Sequence, residues 1–247
     1  MSSKAQRQLP RSGVGPGRKV RTADCRNCKI WDGLIQAGLP TPAAQAICDR
    51  MRLHRARKGQ TLYLEGNRAA YLYALRRGTV KVVKLDARGQ EHVTTVLTSG
   101  ALFGFEAAFD EVYTTGAEAH IESELCLVAC EELRELMKEL PGFAFDLSRC
   151  LYRRWVSTQQ RLAYLANPGA RARFAGYLLS RLPDTDLEEP PRVPHELTLR
   201  ELGGILGLSP ETVCRTIGAL RTEGVIEVRA DQILIREPDA LLQLAAH

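Results

Sequence analysis

The chain has 247 residues, 45% hydrophobic and 26% charged, with a formal net charge of +5. These values suit a soluble globular protein, with two modest domains as the starting expectation. No apolar run approaches the roughly 18 residues that a membrane helix needs. The polar, basic first 30 residues lack the apolar centre of a secretory signal. The expected location is the cytoplasm, with no membrane partner. There the seven cysteines read as thiols, metal ligands or redox groups rather than structural disulfides.

The charge is unevenly spread. Residues 1–30 hold eight Lys and Arg residues against Asp24, a net +7, so the rest of the chain carries −2. The basicity that suggests nucleic acid therefore sits in an arm and not over the folded body. Ser12-Gly13-Val14-Gly15-Pro16-Gly17 has nothing to bury, and residues 1–23 are expected to form a disordered basic tail. Such a tail is either a solubilising arm or a non-specific phosphate contact.

Thr41-Pro42 reads as an N-cap followed by a first-turn proline, with a short helix over 43–51 behind it. From Lys58 the pattern becomes strand-like over 61–64, 71–75, 80–85 and 92–97. Turns fall at Glu65-Gly66-Asn67, Arg77-Gly78, residues 86–89 and Ser99-Gly100. A last strand is expected over about 117–129. Short strands about ten residues apart with glycine punctuation predict a β-roll of the jelly-roll or double-stranded β-helix kind over 24–139.

Pro141 opens a helical stretch, so 140–166 is expected to be one long helix. Leu147, Leu151, Trp155, Thr158, Leu162 and Leu165 recur at spacings of three and four and form one apolar stripe. The stripe could pack on the roll. A helix of about 25 residues, about 37 Å at 1.5 Å per residue, is longer than the roll needs and suits a parallel two-stranded coiled coil. The dimer interface is then Leu151, Trp155, Leu162 and Leu165.

Asn167-Pro168-Gly169 breaks that helix, and 167–247 reads as a second domain. A helix over 171–182 and a loop rich in proline and acid over 183–194 lead to residues 198–217. In that stretch two helices meet around Gly207, Gly203 lies where they cross, and Leu202, Leu206, Leu208, Val213 and Ile217 form the shared core. Ser209 caps the second helix, with Pro210 at its first position. This is a helix-turn-helix. Residues 225–228 and 232–235 add a two-stranded wing. The whole is α+β: an N-terminal β-roll, a long dimerisation helix and a C-terminal winged helix-turn-helix.

Glu211, Cys214 and Arg215 fall at i, i+3 and i+4 on one exposed face of the second helix. Arginine can donate twice to guanine O6 and N7, and glutamate can accept from cytosine N4. The plainer alternative is an intrahelical ion pair in solvent. Thr212, Thr198 and Arg221 are the expected phosphate contacts.

Several segments together resemble the Crp/FNR superfamily of bacterial transcription regulators, most of all its FNR branch. They are Lys58-Gly59-Gln60-Thr61-Leu62, Leu72-Tyr73-Ala74-Leu75, Arg77-Gly78-Thr79-Val80-Lys81, Gly104-Phe105-Glu106-Ala107, Glu211-Thr212-Val213-Cys214-Arg215 and Asp239-Ala240-Leu241-Leu242-Gln243-Leu244. The resemblance covers nearly everything after the tail. It implies a homodimer with a sensory roll, binding palindromic double-stranded DNA with TGA-containing half-sites such as TTGAT-N4-ATCAA, and touching RNA polymerase through surface loops. Cys214 replaces the serine usual in FNR-type reading helices.

The family also suggests signals. Its cyclic-nucleotide members use a Gly-Glu pair for the ribose and an Arg-Ser or Arg-Thr pair for the phosphate. Here those places read Gly104-Phe105 and, near the second, Thr115-Gly116, so neither carboxylate nor cation is present and no cyclic nucleotide is expected. FNR-type sensors hold a [4Fe–4S] cluster through three N-terminal cysteines and one from the roll. Cys25-Arg26-Asn27-Cys28 matches two of the three, and Cys126 matches the roll cysteine. The third falls at Leu34, which cannot ligate. Asp32 is the leading substitute, with Cys48 and Cys130 more remote, although Asp32 also reads as a solvated acid in a turn beside Gly33.

The resemblance thus implies a cluster on Cys25, Cys28, Cys126 and Asp32. It leaves open thiol redox chemistry or zinc at Cys25 and Cys28, a haem or nitric oxide response, and a chain without sensing. Cys48 and Cys150 read as small core residues. Cys130 is expected on the same strand as Cys126. The five histidines show no metal-ligand spacing. No catalytic motif is present, so an enzyme is not expected. A β-roll module regulating an enzyme partner remains the alternative of another class, and Glu211 and Arg215 argue against it.

Overall fold

A computed structural model describes residues 18–19, 29–36, 39–109, 111–140, 142–182, 190–195, 197–230 and 232–246. Most of the expected tail, with Cys25 and Cys28, lies outside them. The chain divides into two compact units, meeting between Leu151 and Tyr152. Among the described residues no helix is long and apolar enough to cross a membrane.

The first unit runs β1 (Arg18–Lys19), α1 (Lys29–Gln36), α2 (Thr41–Arg50), β2 (Arg52–Ala56), β3 (Thr61–Tyr63), β4 (Tyr71–Arg77), β5 (Thr79–Leu85), β6 (Glu91–Thr98), β7 (Leu102–Phe103), a 3-10 turn (Phe105–Ala108), β8 (Gly116–Ala119), β9 (Ser123–Ala129) and α3 (Cys130–Glu139), and it includes the first part of α4 (Phe143–Ala166). Two antiparallel sheets form the roll, in the orders β1-β2-β9-β4-β7 and β3-β8-β5-β6. Leu62, Leu72, Leu75, Val80, Phe103 and Leu125 are buried in its core, where Ile30, Leu34, Ile47, Leu133 and Leu136 of the helices join them. Four consecutive residues of β4, Leu72 to Leu75, are buried, the continuous burial of a strand covered on both faces.

The stretch 117–129 is two strands, not one. β8 pairs with β3 and β5 while β9 pairs with β2 and β4, so the chain changes sheets at residues 120–122. A corner cannot be read from alternation alone. β2 and α3 were not foreseen. Cys130 therefore opens a helix and does not continue the strand of Cys126. Within the tail expected to be disordered, Arg18 and Lys19 pair with Leu53 and Arg52. The cap of α2 is Pro40, whose carbonyl already accepts from Ala44 N at 3.0 Å, so Thr41 is helical and caps nothing. The long helix runs from Phe143; Pro141, expected to open it, lies outside the described residues.

The second unit contains the rest of α4, then α5 (Ala170–Leu179), β10 (Arg192–Pro194), α6 (Leu199–Leu206), α7 (Pro210–Thr222), β11 (Ile226–Val228), β12 (Gln232–Ile235) and α8 (Pro238–Ala246). The wing has three strands in the order β10-β12-β11, one more than expected, because Arg192 to Pro194 pair along β12. Phe174, Leu202, Leu206, Val213, Leu220, Ile233 and Leu241 are buried.

Candidate DNA-reading site and sensor residues

The helix-turn-helix is fixed by local chemistry. Gly207 takes the left-handed conformation, φ 61° and ψ 39°, which ends α6 at little cost only for glycine. Leu208 N then donates back to Gly203 O at 2.9 Å. A Cβ at Gly203 would lie 2.5 Å from Leu208 O, so the crossing expected from sequence requires a residue without a side chain. Ser209 Oγ accepts from Thr212 N at 3.2 Å, and Pro210 opens α7. In the shared core Leu202, Leu206 and Val213 are buried while Leu208 and Ile217 are half-buried. Sequence reasoning missed buried Thr216, whose hydroxyl is satisfied by Thr212 O at 2.8 Å.

Glu211, Cys214 and Arg215 are exposed at the start of α7. The Glu211 carboxyl is held below its ordinary range by its own backbone N–H, then by the Ser209 hydroxyl and the Arg215 charge. Arg215 Nη2 donates to Thr212 Oγ1 at 3.4 Å, and Thr212 Oγ1 also lies 3.0 Å from Ser209 Oγ. Thr198 is committed to a reciprocal cap: its hydroxyl accepts from Glu201 N at 3.2 Å and donates to Glu201 Oε2 at 2.9 Å. Arg221 is exposed in the last turn of α7, at the far end from Glu211.

The wing carries cations that sequence reasoning did not single out. The register aligns Arg192, Leu234 and Glu227 in one row. Arg229 and Arg236 lie just beyond the ends of β11 and β12. Glu227 accepts from Arg229 Nε at 2.8 Å and Arg236 Nε at 3.0 Å. Alternation of charge at period two was the available signal.

On α4, Leu147 is buried and Leu151 packs against the core of the roll. Leu165 is half-buried. Trp155 and Leu162 are 57% and 53% exposed, and Trp155 stacks on exposed Tyr152 with ring centroids 6.0 Å apart.

Among the sensor residues, Cys126 is buried in β9 between Leu53 of β2 and Ala74 of β4. Asp32 is exposed in the first turn of α1, a helix and not the turn expected beside Gly33. Leu34 is fully buried in the core. Cys48 and Cys150 are buried. Buried Cys130 receives Arg134 Nη2 on its sulfur at 2.9 Å. Among the described residues no group of three or more His, Cys, Asp or Glu could hold a metal ion.

At the place of a nucleotide ribose, Gly104 has φ 77° and the Phe105 side chain is buried. The next carboxylate, Glu106, accepts from Thr114 N at 3.2 Å and from Thr114 Oγ1 at 2.8 Å. A cleft of about 440 Å³ is lined by Asn67, Arg68, Tyr71, Tyr73 and Tyr113 among others, and Tyr71, Tyr73 and Tyr113 also lie against Gly104.

A β-roll followed by a winged helix-turn-helix with exposed Glu and Arg on its second helix defines a DNA-binding regulator. Comparison with known proteins agrees. Residues 53–139 match the model of the cyclic nucleotide-binding domain, and residues 172–244 match the Crp-like helix-turn-helix domain. The fumarate and nitrate reduction regulatory protein of Escherichia coli K12 is 31% identical over 230 residues, covering 90% of each chain. The structure of FixK2 from Bradyrhizobium japonicum superposes with a TM-score of 0.72 at 26% identity, over 80% of this chain and 98% of that one. A CRP-family transcriptional regulator from Thermus thermophilus gives 0.62 at 28% identity, over 78% and 97%. The chain belongs to the Crp/FNR family of DNA-binding transcription regulators. These relatives are regulators and not enzymes.

Proposed function

We propose that the protein is a homodimeric regulator that reads an inverted repeat with TGA-containing half-sites, of the form TTGAT-N4-ATCAA, and responds to oxygen or redox state. The observation carrying the DNA reading is the exposed pair Glu211 and Arg215 at the capped start of α7. Arg215 donates to guanine O6 and N7, and Glu211 accepts from N4 of the paired cytosine. Cys214, a weaker donor than serine, loosens selection at the outer base. Thr212 and Arg221 contact phosphates, and Thr198 joins them once its hydroxyl leaves Glu201. A two-fold operator needs a two-fold protein, and a second copy covers Trp155 and Leu162 along the stripe of Leu151 and Leu165. RNA polymerase is the protein partner that the family resemblance implies.

For the signal, Cys25, Cys28 and Cys126 with Asp32 would hold a [4Fe–4S] cluster, an oxygen-labile group. The likeness to fumarate and nitrate reduction regulators and the thiolate donors support this reading. Against it, Cys126 is under cover, Asp32 stands in solvent and Leu34 is packed in the core. The two described candidates therefore do not form half of a ready ligand set. That observation favours a second reading, in which Cys25 and Cys28 act without a cluster through thiol redox chemistry or zinc. Buried Phe105 and the closed Glu106–Thr114 contact support a roll that takes no cyclic nucleotide.

Anaerobic purification with an absorption spectrum and iron and sulfide assays separates the two readings. The cluster reading expects brown protein that bleaches in air and a Cys126→Ala variant that loses iron. Colourless, iron-free protein that still binds DNA overturns the cluster reading and leaves thiol chemistry, zinc or a chain without sensing.

A further inference from the structure

One side chain joins two places in the second unit that the sequence keeps far apart. Arg173, on α5, donates through Nε to the carbonyl of Asn167 at 2.6 Å. Through Nη1 it donates to the carbonyls of Leu206 and Gly207, each at 3.2 Å. Asn167 immediately follows the last residue of the long helix α4. Leu206 and Gly207 are the last residue of α6 and its left-handed cap. Carbonyls at a helix C-terminus lack intrahelical partners and carry the negative end of the helix dipole, so a cation is favoured there. A planar guanidinium with five fixed donors can serve three carbonyls at once, and an ammonium on a flexible stem cannot hold the same span.

Two glycines make room for this arrangement. A Cβ at Gly207 would come within 3.3 Å of Arg173 Nη1. Tyr164, in the last turn of α4, packs so closely on Gly176 of α5 that a Cβ there would fall 2.3 Å from its ring. The end of α4 is thus held on α5 by two contacts, and Arg173 extends the link to the turn of the helix-turn-helix. Ser209, which caps the reading helix, comes two residues after Gly207, with Glu211 and Arg215 beyond it.

We propose that Arg173 is a positioning residue for DNA reading: it couples the turn that ends the long helix to the turn that presents α7. Base-edge hydrogen bonds are short and directional, whereas non-specific binding to phosphates is long-ranged and tolerant of aim. Loss of the coupling should therefore reduce operator binding much more than binding to random DNA. The inference rests on base reading by α7, so one arm of its test is made without DNA.

The experiment uses the full chain with Arg173→Ala and Arg173→Lys, and Arg171→Ala as a control that breaks only the ion pair from α5 to Glu223. Affinity is measured for an operator duplex selected by the wild-type protein from a random pool, and for random duplex at the same salt. Hydrogen exchange is followed at residues 167–169 and 207–209 in free protein. Both Arg173 variants should lose operator affinity by about tenfold, the scale of one base contact, with little change on random DNA. Exchange should quicken in both segments together. Arg171→Ala should resemble wild type. Should Arg173→Ala fail to fold, Arg173→Lys is read alone. Wild-type operator affinity in Arg173→Lys, equal weakening on both duplexes, or faster exchange in only one segment overturns the proposal. Normal discrimination in Arg215→Ala, with coupled exchange intact, would instead overturn the base-reading assignment.

Discussion

The hydroxyl of Tyr113 makes a two-way bridge to the backbone of Tyr71, accepting its N–H at 3.0 Å and donating to its carbonyl at 2.8 Å. The Tyr113 ring stacks on Tyr63 with centroids 3.8 Å apart. Burial is the main cause pushing its pKa up to about 12, so the bridge keeps its proton throughout the physiological range. Tyr113→Phe keeps the ring and removes the hydroxyl. Leaving polar backbone groups short of a partner costs about 1–3 kcal/mol, readable as a fall in the urea midpoint of the whole protein. A change within about 0.5 kcal/mol, the scale of an ordinary surface substitution, would show the bridge to be dispensable.

Arg215→Ala should lose operator recognition while keeping weak, salt-dependent binding. The bidentate contact is worth about 1–3 kcal/mol, seen as convergence of operator and random-DNA affinities in a competition assay. Retained discrimination would return Arg215 to the role of a solvated partner of Thr212.

Acid should spare the cytosine contact. Because Glu211 titrates below its ordinary value, its carboxylate remains an acceptor as the pH falls through the normal glutamate range, about 4.3, and fails only below its depressed pKa. Preference for the G·C pair should therefore be the same at pH 7 and at pH about 5. Glu211→Gln should lose the cytosine preference at both. Loss of preference in the wild type between these pH values would contradict this.

Leu162→Glu should give monomers that bind the operator poorly. Covering a leucine is worth about 1.5–3 kcal/mol, and this substitution replaces that gain with a charge in each copy. Sedimentation with and without operator decides it; a dimeric Leu162→Glu protein would place the interface elsewhere.

Two neighbouring glycines of α6 should respond oppositely to the same substitution. A methyl at Gly203 would meet Leu208 O at 2.5 Å, whereas nothing lies within 4 Å of one at Gly204. Gly203→Ala should cost about 1–3 kcal/mol by overpacking and abolish operator binding. Gly204→Ala should gain about 0.5–1 kcal/mol from helix propensity and leave binding intact. Thermal melts with gel shifts on both variants test the pair.

How much could be read in advance depended on the range of the signal. The reading head was legible because Gly203, Gly207, Ser209 and Pro210 act within one turn of their own positions. The exposed stripe of Trp155 and Leu162 was legible from its period. β2 was not, since Arg52-Leu53-His54-Arg55 carries little apolar alternation and is held in place by the distant residues of β9. α3 was hidden because it starts directly at the end of β9, with Ala129 N bonded to Glu132 Oε2 at 3.3 Å and no glycine or proline between. The reach of Arg173 to residues 206 and 207 had no local signature.

The order of strands has a consequence for how the chain acquires its structure. β9 is the last strand of the roll to leave the ribosome, yet it lies between β2 and β4 in the middle of its sheet. Until it arrives, both neighbours have unpaired edges. Closure depends on contacts distant in sequence, which slow folding and prolong exposure of apolar surface. Cys126 is carried in on that strand, so its thiol gains its cover from Leu53 and Ala74 only once β9 has paired with both neighbours.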